Sequence, residues 1–192
     1  MWVRIESRIA CRHPPNGVCR AEAEVSLPQH NVAVQAIRPM SRPEYAAWLA
    51  EAIPGYAADK VESGQWAEDE SLELSRKEYD ELLPKGIETE GNHFFTIVDS
   101  KSGPVGVLWF AVKTKFNAKV AYVFDVSVAP DHRRQGHARR AFLALEEKVE
   151  ELGLSGIALH VFGHNASARA MYEKLGYEPT NISLFKAVAP RS

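Results

Sequence analysis

Hydrophobic and polar residues alternate in three neighbouring stretches in the middle of the chain. Residues 93–100 and 104–113 show this period of two, and the turn Lys101-Ser102-Gly103 separates them. The pattern predicts an antiparallel β-hairpin. Residues 120–128 follow the polar loop 114–119 and predict a further strand, so the three strands are expected to form a meander.

Apolar residues recur at helical spacing after Ser41. Ser41 and Glu44 form a capping-box pattern with a proline in the first turn, so a helix is expected to begin there. The dipeptide Pro54-Gly55 is expected to interrupt this helix. A second helical piece is then predicted over residues 56–63 and a third over residues 68–83.

A strand, a helix and a second strand are predicted within residues 120–162, which indicates a right-handed crossover between two parallel strands. The other predicted elements are a strand at 33–40, a helix at 136–152 ended by Gly153, a strand at 156–162, a helix at 166–175 between Asn165 and Gly176, and a strand at 182–188. With the pieces before and after Pro54-Gly55 counted as one interrupted helix, the order is β-α-α-β-β-β-α-β-α-β. This order predicts an α/β (α+β) fold with a mixed central sheet and helices on both faces.

Residues 1–32 differ from the rest of the chain. They show no sustained period and contain the run Pro14-Pro15-Asn16-Gly17, so a disordered or loosely docked arm is expected. The cysteines and histidines of this arm are Cys11, His13, Cys19 and His30. Their spacing matches no zinc-binding pattern, and no metal is expected. A single domain is predicted over residues 33–189.

Composition argues against several classes of protein. Hydrophobic residues make up 45% of the chain, charged residues 25%, and the formal net charge is −2, which disfavours nucleic-acid binding driven by bulk positive charge. No apolar run approaches the roughly 20 residues that a membrane helix needs, and no secretory signal is expected. Two cysteines give no disulfide framework, so a cytoplasmic location is expected. From the charge and the lack of a long apolar run, neither nucleic acid nor membrane is expected as a partner.

The segment between the strand at 120–128 and the next helix is typical of an anion site. Gly136 permits a tight turn, and Ala138 keeps the start of the helix narrow. Free backbone N–H groups at a helix N-terminus, together with the helix dipole, attract an anion such as a pyrophosphate. Four arginines add positive charge nearby: Arg133, Arg134, Arg139 and Arg140.

A second motif follows after the next predicted strand, and its residues are Asn165, Ala168, Tyr172, Gly176 and Tyr177. If Asn165 caps the helix, Asn165 and Tyr172 lie on roughly the same helix face, about 10 Å apart along the axis. Because this motif lies across one strand from the first, the two are expected to form two walls of one groove.

Together, residues 126–138 and 165–177 resemble the two acetyl-CoA-binding motifs of the GNAT superfamily of N-acetyltransferases. Residues 82–86, 122–125 and 159–165 further resemble a bacterial branch that includes small YycN-like acetyltransferases. The resemblance implies the GNAT fold and transfer of an acetyl group from acetyl-CoA to a primary amine of an unidentified acceptor. The amine would attack the thioester directly.

The resemblance also implies roles for individual residues. The backbone of Val126 and Val128 would hold the pantetheine arm and the thioester carbonyl. Tyr172 would be the general acid that protonates the leaving thiolate, although packing of the helix onto the sheet is an alternative role. The expected cofactor-binding residues are Val126, Val128, Arg133, Arg134, Gln135, Gly136, His137, Ala138, Arg139, Asn165, Ala168 and Tyr172.

The general base is not evident from the sequence. Many relatives carry a glutamate at the position of Phe124. The adjacent Asp125 would point to the opposite face in a regular strand, but a bulge would redirect it. The other candidates are Glu88, Glu90 and His93. An amine with a modest pKa would need no dedicated base.

Several features leave alternatives open. His160 and His164 are expected to be structural, with a base role as the alternative. Residues 59–90 carry eleven acids and four bases, a hint that a small-molecule or peptide amine acceptor is cationic. The residues Trp48, Tyr56, Trp66 and Tyr79 are expected to pack in the core, with an acceptor pocket as the alternative.

Two other function classes compete with the enzyme. Phe124 at the expected base position supports a non-catalytic acyl-CoA-binding sensor or scaffold. A nucleic-acid patch of arginines within residues 133–140 is opposed by the acidic residues of the following helix. A homodimer is possible through the edge of the last predicted strand at 182–188.

Overall fold

A mixed five-stranded β-sheet forms the centre of the protein, in the order β1-β2-β3-β4-β5. The computed structural model describes residues 36–163, 165–184, 186 and 188. The first four strands pair antiparallel with their neighbours, whereas the fifth is parallel to the fourth. The strands are β1 (Ile37–Pro39), β2 (Asn92–Asp99), β3 (Gly103–Lys115), β4 (Ala118–Val128) and β5 (Ile157–Leu159).

Two pairs of helices cover the two faces of this sheet. They are α1 (Arg42–Glu62), α2 (Glu68–Leu82), α3 (His137–Glu151) and α4 (Ala166–Lys174). On the α1/α2 face, Trp48 and Tyr79 pack against Trp109 of the sheet. On the α3/α4 face, Phe142 and Tyr172 belong to a second buried cluster. Burial of these side chains stabilises both layers, and the predicted fold class is confirmed.

The first helix is continuous, so the predicted interruption at Pro54-Gly55 is wrong. A proline inside a helix removes one backbone hydrogen bond and usually bends or ends the helix. Here the buried Ser75 of α2 donates its hydroxyl to the Ile53 carbonyl at 2.7 Å. Trp48 and Ala57 are buried on either side of the proline. These tertiary contacts hold α1 together across the proline.

The loop predicted at 114–119 is a two-residue turn, because β3 continues to Lys115 and β4 begins at Ala118. Phe116 and Asn117 both have positive φ, 53° and 61°. Positive φ at both central residues is the conformation of a type I′ turn, whose twist matches that of the flanking strands. The alternating pattern did not reveal this turn because its residues are not those that usually favour positive φ at both positions.

Some predicted segments are shorter than expected or lie outside the described residues. β5 is shorter than the predicted strand at 156–162. Residues 182–184 are exposed and form no strand, while Phe185 and Ala187 lie outside the described residues. Residues 1–35, with the predicted arm and most of the first predicted strand, also lie outside them, so the boundaries at 32 and 189 stay predictions. No helix in the described ranges is long and apolar enough to span a membrane.

Gly106 in β3 lies where the end of β4 approaches too closely for a side chain. A Cβ atom at this position would lie 2.2 Å from the Ser127 carbonyl oxygen and 3.1 Å from the Val128 Cα atom. Both contacts are with backbone, which cannot rotate away. The lack of a side chain at Gly106 therefore helps to set the position of the C-terminal end of β4.

We expect Gly106→Ala to lower the free energy of unfolding by about 1–3 kcal/mol, because the added methyl group displaces β4 from β3. Urea denaturation measures the change. Gly156→Ala is the matched control, since a Cβ atom there meets nothing within 4 Å. Its stability should stay within about 0.5 kcal/mol of the wild type. Equal stability of the two variants would contradict the close approach.

Candidate active site

A β-bulge interrupts β4 in the segment where the general base was sought. Trp109 of β3 lies opposite Asp125, but the next residue, Phe110, lies opposite Val123. Phe124 is therefore an extra residue without a partner in the register, and the alternation of side chains changes phase there. As a result, Asp125 faces the same side of the sheet as Phe124, the outcome expected for a bulge rather than for a regular strand.

The Asp125 carboxylate is held by the first helix. The Trp48 indole N–H donates to Asp125 Oδ2 at 2.7 Å, across 77 positions of the sequence. Burial raises the pKa of the Asp125 carboxyl above its ordinary value, and the indole hydrogen bond opposes this shift. Phe124 stacks on Trp109 with a centroid distance of 4.5 Å. No sequence pattern links Trp48 to Asp125, and only the packing of α1 on the sheet brings them together.

β4 and β5 separate beyond a short paired region. Their register pairs Ala121 with Ile157 and Val123 with Leu159, and no further pairs follow. β4 continues to Val128, so its last residues have no strand partner on the β5 side. Divergence of two parallel strands opens a gap between them. In this gap, the Val128 carbonyl already accepts a hydrogen bond from Arg133 Nε at 2.9 Å.

The loop between β4 and α3 presents a run of free backbone donors. Arg134 and Gly136 both have a left-handed backbone conformation, with φ of 63° and 81°. Alternation of left-handed and right-handed or extended residues turns successive backbone N–H groups towards one side. Among the described residues, none accepts a hydrogen bond from the backbone N–H groups of residues 134–139. These donors lie at the N-terminus of α3, where the helix dipole also favours an anion.

The side chains of this loop divide into an inner and an outer set. His137 is buried, and its Nδ1 atom lies 2.7 Å from Arg140 Nη2. Since a guanidinium only donates, Nδ1 is the acceptor of this bond. Arg140 also donates to the Gln135 carbonyl at 3.1 Å. The inner residue His137 therefore anchors the loop through Arg140, which is itself exposed, as are Arg134 and Arg139.

The second motif lies at the start of α4, as predicted. Asn165 is the N-cap residue, and its side-chain Oδ1 accepts from the Ala168 N–H at 3.1 Å. This bond leaves the Asn165 Nδ2 group as a donor. Ala168 is half-buried against the α3/α4 face. Phe162 precedes the turn, and its carbonyl accepts from the Asn165 N–H at 3.0 Å.

Tyr172 lies further along α4 and is buried, with 8% of its surface exposed. Its ring contacts Phe142 and Tyr177 at centroid distances of 5.3 Å and 5.6 Å. Burial raises the pKa of Tyr172 to about 12, and the negative charge of Asp125 adds to the shift. The packing role is thus present in the structure, and the hydroxyl keeps its proton at neutral pH.

The structure does not bring the remaining base candidates together with Asp125. Glu88 forms an exposed ion pair with Arg42, and Glu90 is exposed. His93 stacks on Phe110, a residue of the α3/α4 face, and burial lowers its pKa. Asp125 bonds to Trp48 on the α1/α2 face, so the sheet separates it from His93. His160 is exposed, and His164 lies outside the described residues.

A cleft of about 570 Å³ lies on the α1/α2 face. Its lining residues are Tyr56, Glu78, Tyr79, Glu81, Leu82, Trp109 and Phe124. Tyr56 and Tyr79 belong to the aromatic residues for which a pocket was the predicted alternative role. The remaining lining residues were not predicted: Glu78, Glu81, Leu82, Trp109 and Phe124. Since these residues come from two helices and two strands, no local motif could have indicated the set.

Comparison with known proteins places this chain among acetyltransferase sequences. The sequence model described as "Acetyltransferase (GNAT) family" matches residues 58–177. The uncharacterized N-acetyltransferase YycN of Bacillus subtilis is 30% identical over 150 residues, which cover 78% of this chain and 96% of YycN. YdgE of the same organism, also an uncharacterized N-acetyltransferase, is 31% identical, with 77% of this chain and 94% of YdgE covered.

A solved structure agrees with the sequence comparison. The crystal structure of YycN superimposes on 80% of this chain and 98% of its own chain, with a TM-score of 0.75 and 29% identity. The predicted YycN-like relationship is therefore confirmed. Among the residues described, no group of His, Cys, Asp or Glu side chains has the arrangement of a metal site.

We expect Trp48→Phe to raise the pKa of Asp125 further. The indole N–H stabilises the ionised carboxylate, so its removal favours the protonated form. NMR titration of the Asp125 side-chain carboxyl carbon measures this shift. Trp109→Phe is the control, because it removes a buried indole of the same face whose N–H donates to Asn92 instead. An unchanged or lowered pKa in Trp48→Phe would contradict the assigned hydrogen bond.

Proposed function

Because the chain belongs to the GNAT acetyltransferase family, we propose that it transfers an acetyl group from acetyl-CoA to a primary amine. The observation that carries this proposal is the run of free backbone N–H groups at residues 134–139, beside the gap between β4 and β5. The amine nitrogen bonds to the thioester carbonyl carbon while the carbon–sulfur bond breaks. A cytoplasmic location, a small-molecule or peptide amine acceptor and the absence of a nucleic-acid partner belong to the same proposal.

The residues of the loop suit a pyrophosphate. Convergent N–H groups at a helix N-terminus need an anion with several acceptor oxygens, and a pyrophosphate supplies them. Gly136 allows the backbone to approach closely, and the exposed Arg134 and Arg139 add charge. Arg133 and Gln135 shape the loop through bonds to the carbonyls of neighbouring residues. We therefore assign the phosphate end of acetyl-CoA to this loop.

The gap between the diverging strands suits an extended amide-containing arm. The unpaired edge of β4 at Val126 and Val128 supplies peptide groups that an arm of this kind can hydrogen-bond, as an additional strand would. We assign the Asn165 side-chain Nδ2 group, at the start of α4 beside Ala168, as a further donor to this arm. When bound there, acetyl-CoA supplies the activated acetyl group. The proposed function of the Val126 N–H is to hold the thioester carbonyl as negative charge develops on its oxygen.

Asp125 is the base that the geometry favours. A primary amine is mostly protonated at neutral pH, so a carboxylate beside it both attracts the ammonium and accepts its proton. The raised pKa of Asp125 brings the carboxylate closer to the basicity that this step requires. Trp48 fixes its orientation. Glu88, Glu90 and His93 remain weaker candidates, because Glu88 and Glu90 are exposed and His93 lies on the opposite face of the sheet.

Tyr172 is the proposed acid. Its hydroxyl holds a proton across the physiological pH range, because its pKa is about 12, and the leaving sulfur needs a proton as the bond to carbon breaks. The proposed acid, Tyr172 of α4, and the proposed base, Asp125, lie on opposite faces of the sheet, on either side of β4. The proton taken from the amine and the proton given to sulfur are then handled by different groups.

A non-catalytic acyl-CoA-binding protein is the second candidate. It is favoured by Phe124, which is stacked on Trp109 at the position where many relatives carry a glutamate. A free-thiol assay of CoA release over a panel of primary amines separates the two candidates. Release that depends on both enzyme and amine supports the transferase. Tight binding of acetyl-CoA in isothermal titration, with no release for any amine or peptide tested, supports the non-catalytic candidate.

We expect Gly136→Val to lower the affinity for acetyl-CoA at least about tenfold. A side chain at φ +81° strains the loop by about 1–2 kcal/mol or more and turns its N–H groups away. Isothermal titration at a temperature where the variant is folded by circular dichroism measures the affinity. Gly153→Val is the matched control, with φ +63° at the other end of α3 and remote from the loop. Unchanged affinity in Gly136→Val would overturn the assignment of the loop.

We expect Tyr172→Phe to reduce kcat by about 100-fold or more while acetyl-CoA affinity changes little, because only the proton donor is lost. Since the pKa of Tyr172 is about 12, the reduction should be constant from roughly pH 6 to 10. Tyr177→Phe is the control, as its hydroxyl is buried without a hydrogen bond to described residues. A rate of Tyr172→Phe equal to that of the wild type at every pH would exclude Tyr172 as the acid.

A further inference from the structure

Two carboxylates on the α1/α2 face lie at opposite ends of an unbroken run of aromatic rings. At one end, the Tyr56 hydroxyl donates to Glu78 Oε2 at 2.9 Å. Tyr56 contacts Tyr79, and Tyr79 contacts Trp48, each with a centroid distance of 6.1 Å. At the other end, the Trp48 indole donates to Asp125 at 2.7 Å. The rings of Tyr56, Tyr79 and Trp48 thus form an apolar wall between the carboxylates of Glu78 and Asp125.

The opposite wall of the cleft is also aromatic. Trp109 lies 5.9 Å from Tyr79 and 4.5 Å from Phe124 between ring centroids. Leu82 completes the apolar lining, and the cleft volume is about 570 Å³. A cleft of this size suits a small organic molecule. Its walls offer few hydrogen-bonding groups between the two carboxylates, so they suit methylene groups better than hydroxyl groups.

Glu78 is a half-buried carboxylate for which no described lysine, arginine or histidine lies within ion-pair distance. The Tyr56 hydroxyl donates one hydrogen bond to it, and a ligand ammonium would add a charged donor that this neutral hydroxyl does not supply. Glu81, one turn further along α2, also lines the cleft and adds negative charge. Two carboxylates at this end therefore favour a cationic group of the ligand.

The aromatic rings already attract ammonium groups of the protein itself. Lys60 Nζ lies 5.2 Å from the ring centroid of Tyr56, and Lys113 Nζ lies 5.7 Å from that of Phe124. These are cation–π distances. A ligand ammonium that enters the cleft would meet rings of the same kind, next to carboxylates that these two lysines do not neutralise.

We propose that this cleft is the acceptor site and that it takes a flexible diamine or polyamine. One amine lies at the Phe124 end of the cleft, towards the adjacent Asp125, and is acetylated. The methylene chain packs between the aromatic walls, and the distal ammonium lies between Glu78 and Glu81. This inference rests on the proposed acetyl transfer and adds the class of the acceptor. An amine without a second positive charge leaves Glu78 without a cationic partner and is a poorer substrate.

Cadaverine and n-pentylamine test the proposal, because they share a five-carbon chain and differ in the second amine. We expect kcat/KM for cadaverine to exceed that for n-pentylamine at least tenfold in CoA release. Glu78→Gln should lower kcat/KM for cadaverine about tenfold and leave the value for n-pentylamine unchanged. Glu73→Gln, an exposed position of the same helix outside the cleft, is the matched control and should alter neither value.

A binding measurement separates failure of this inference from failure of the proposed function. Cadaverine is titrated calorimetrically into the wild type and into Glu78→Gln, each saturated with CoA. Weaker binding to Glu78→Gln supports the site even if no turnover is seen, in which case the proposed acetyl transfer fails alone. Equal kcat/KM for the two amines, or a cadaverine response that Glu78→Gln does not change, overturns the distal cation site while acetyl transfer stands. Absence of cadaverine binding to the wild type also overturns it.

Discussion

The bulge in β4 is the constraint on which the rest of the site depends. With Phe124 as an extra residue, Asp125 and Phe124 share the α1/α2 face, and Val126 and Val128 pack towards the α3/α4 face. Without the bulge, Asp125 would lie on the α3/α4 face, where Phe142 and Leu145 are fully buried and where the described cluster contains no tryptophan to bond it. One inserted residue therefore decides that a carboxylate lies next to the aromatic cleft.

The first helix, α1, supplies the side chains that bond to the carboxylates of this face. Trp48 reaches Asp125, and Tyr56 reaches Glu78, from positions on the two sides of Pro54. If the helix ended at the proline, the two aromatic residues would have no fixed spacing. The hydrogen bond from Ser75 to the Ile53 carbonyl holds the helix at this point. The same contact that overrides the helix-breaking residue thus aligns the two ends of the cleft.

The parts of the protein that were predictable depend on local rules. The capping box at Ser41, the hairpin of β2 and β3, the cap at Asn165 and the loop before α3 each require particular residues within a short stretch of chain. The continuous α1 and the pairing of Trp48 with Asp125 depend on residues far apart in sequence, and the short turn at Phe116-Asn117 depends on a positive φ that a bulky residue such as Phe116 rarely adopts. For α1 and for the Trp48–Asp125 pair, tertiary packing outweighs the local preference of the residues. The alternation of polar and apolar residues carries no information about that packing.

The same distinction explains why the acetyl-CoA side of the site is easier to infer than the acceptor side. The proposed cofactor loop works mainly through backbone N–H groups, and the sequence need only permit its conformation, as Gly136 does at φ 81°. Such a requirement leaves a short recognisable signature. The proposed acceptor cleft would work through side chains, and its walls come from α1, α2, β3 and β4. Trp109 and Tyr79 are buried core residues as well as lining residues, so each also has an ordinary packing role in its own element. In the proposed site, selectivity for the acceptor can therefore change by substitution at the half-buried Glu78 and Phe124 or the exposed Glu81, while the sheet and the proposed cofactor loop stay the same.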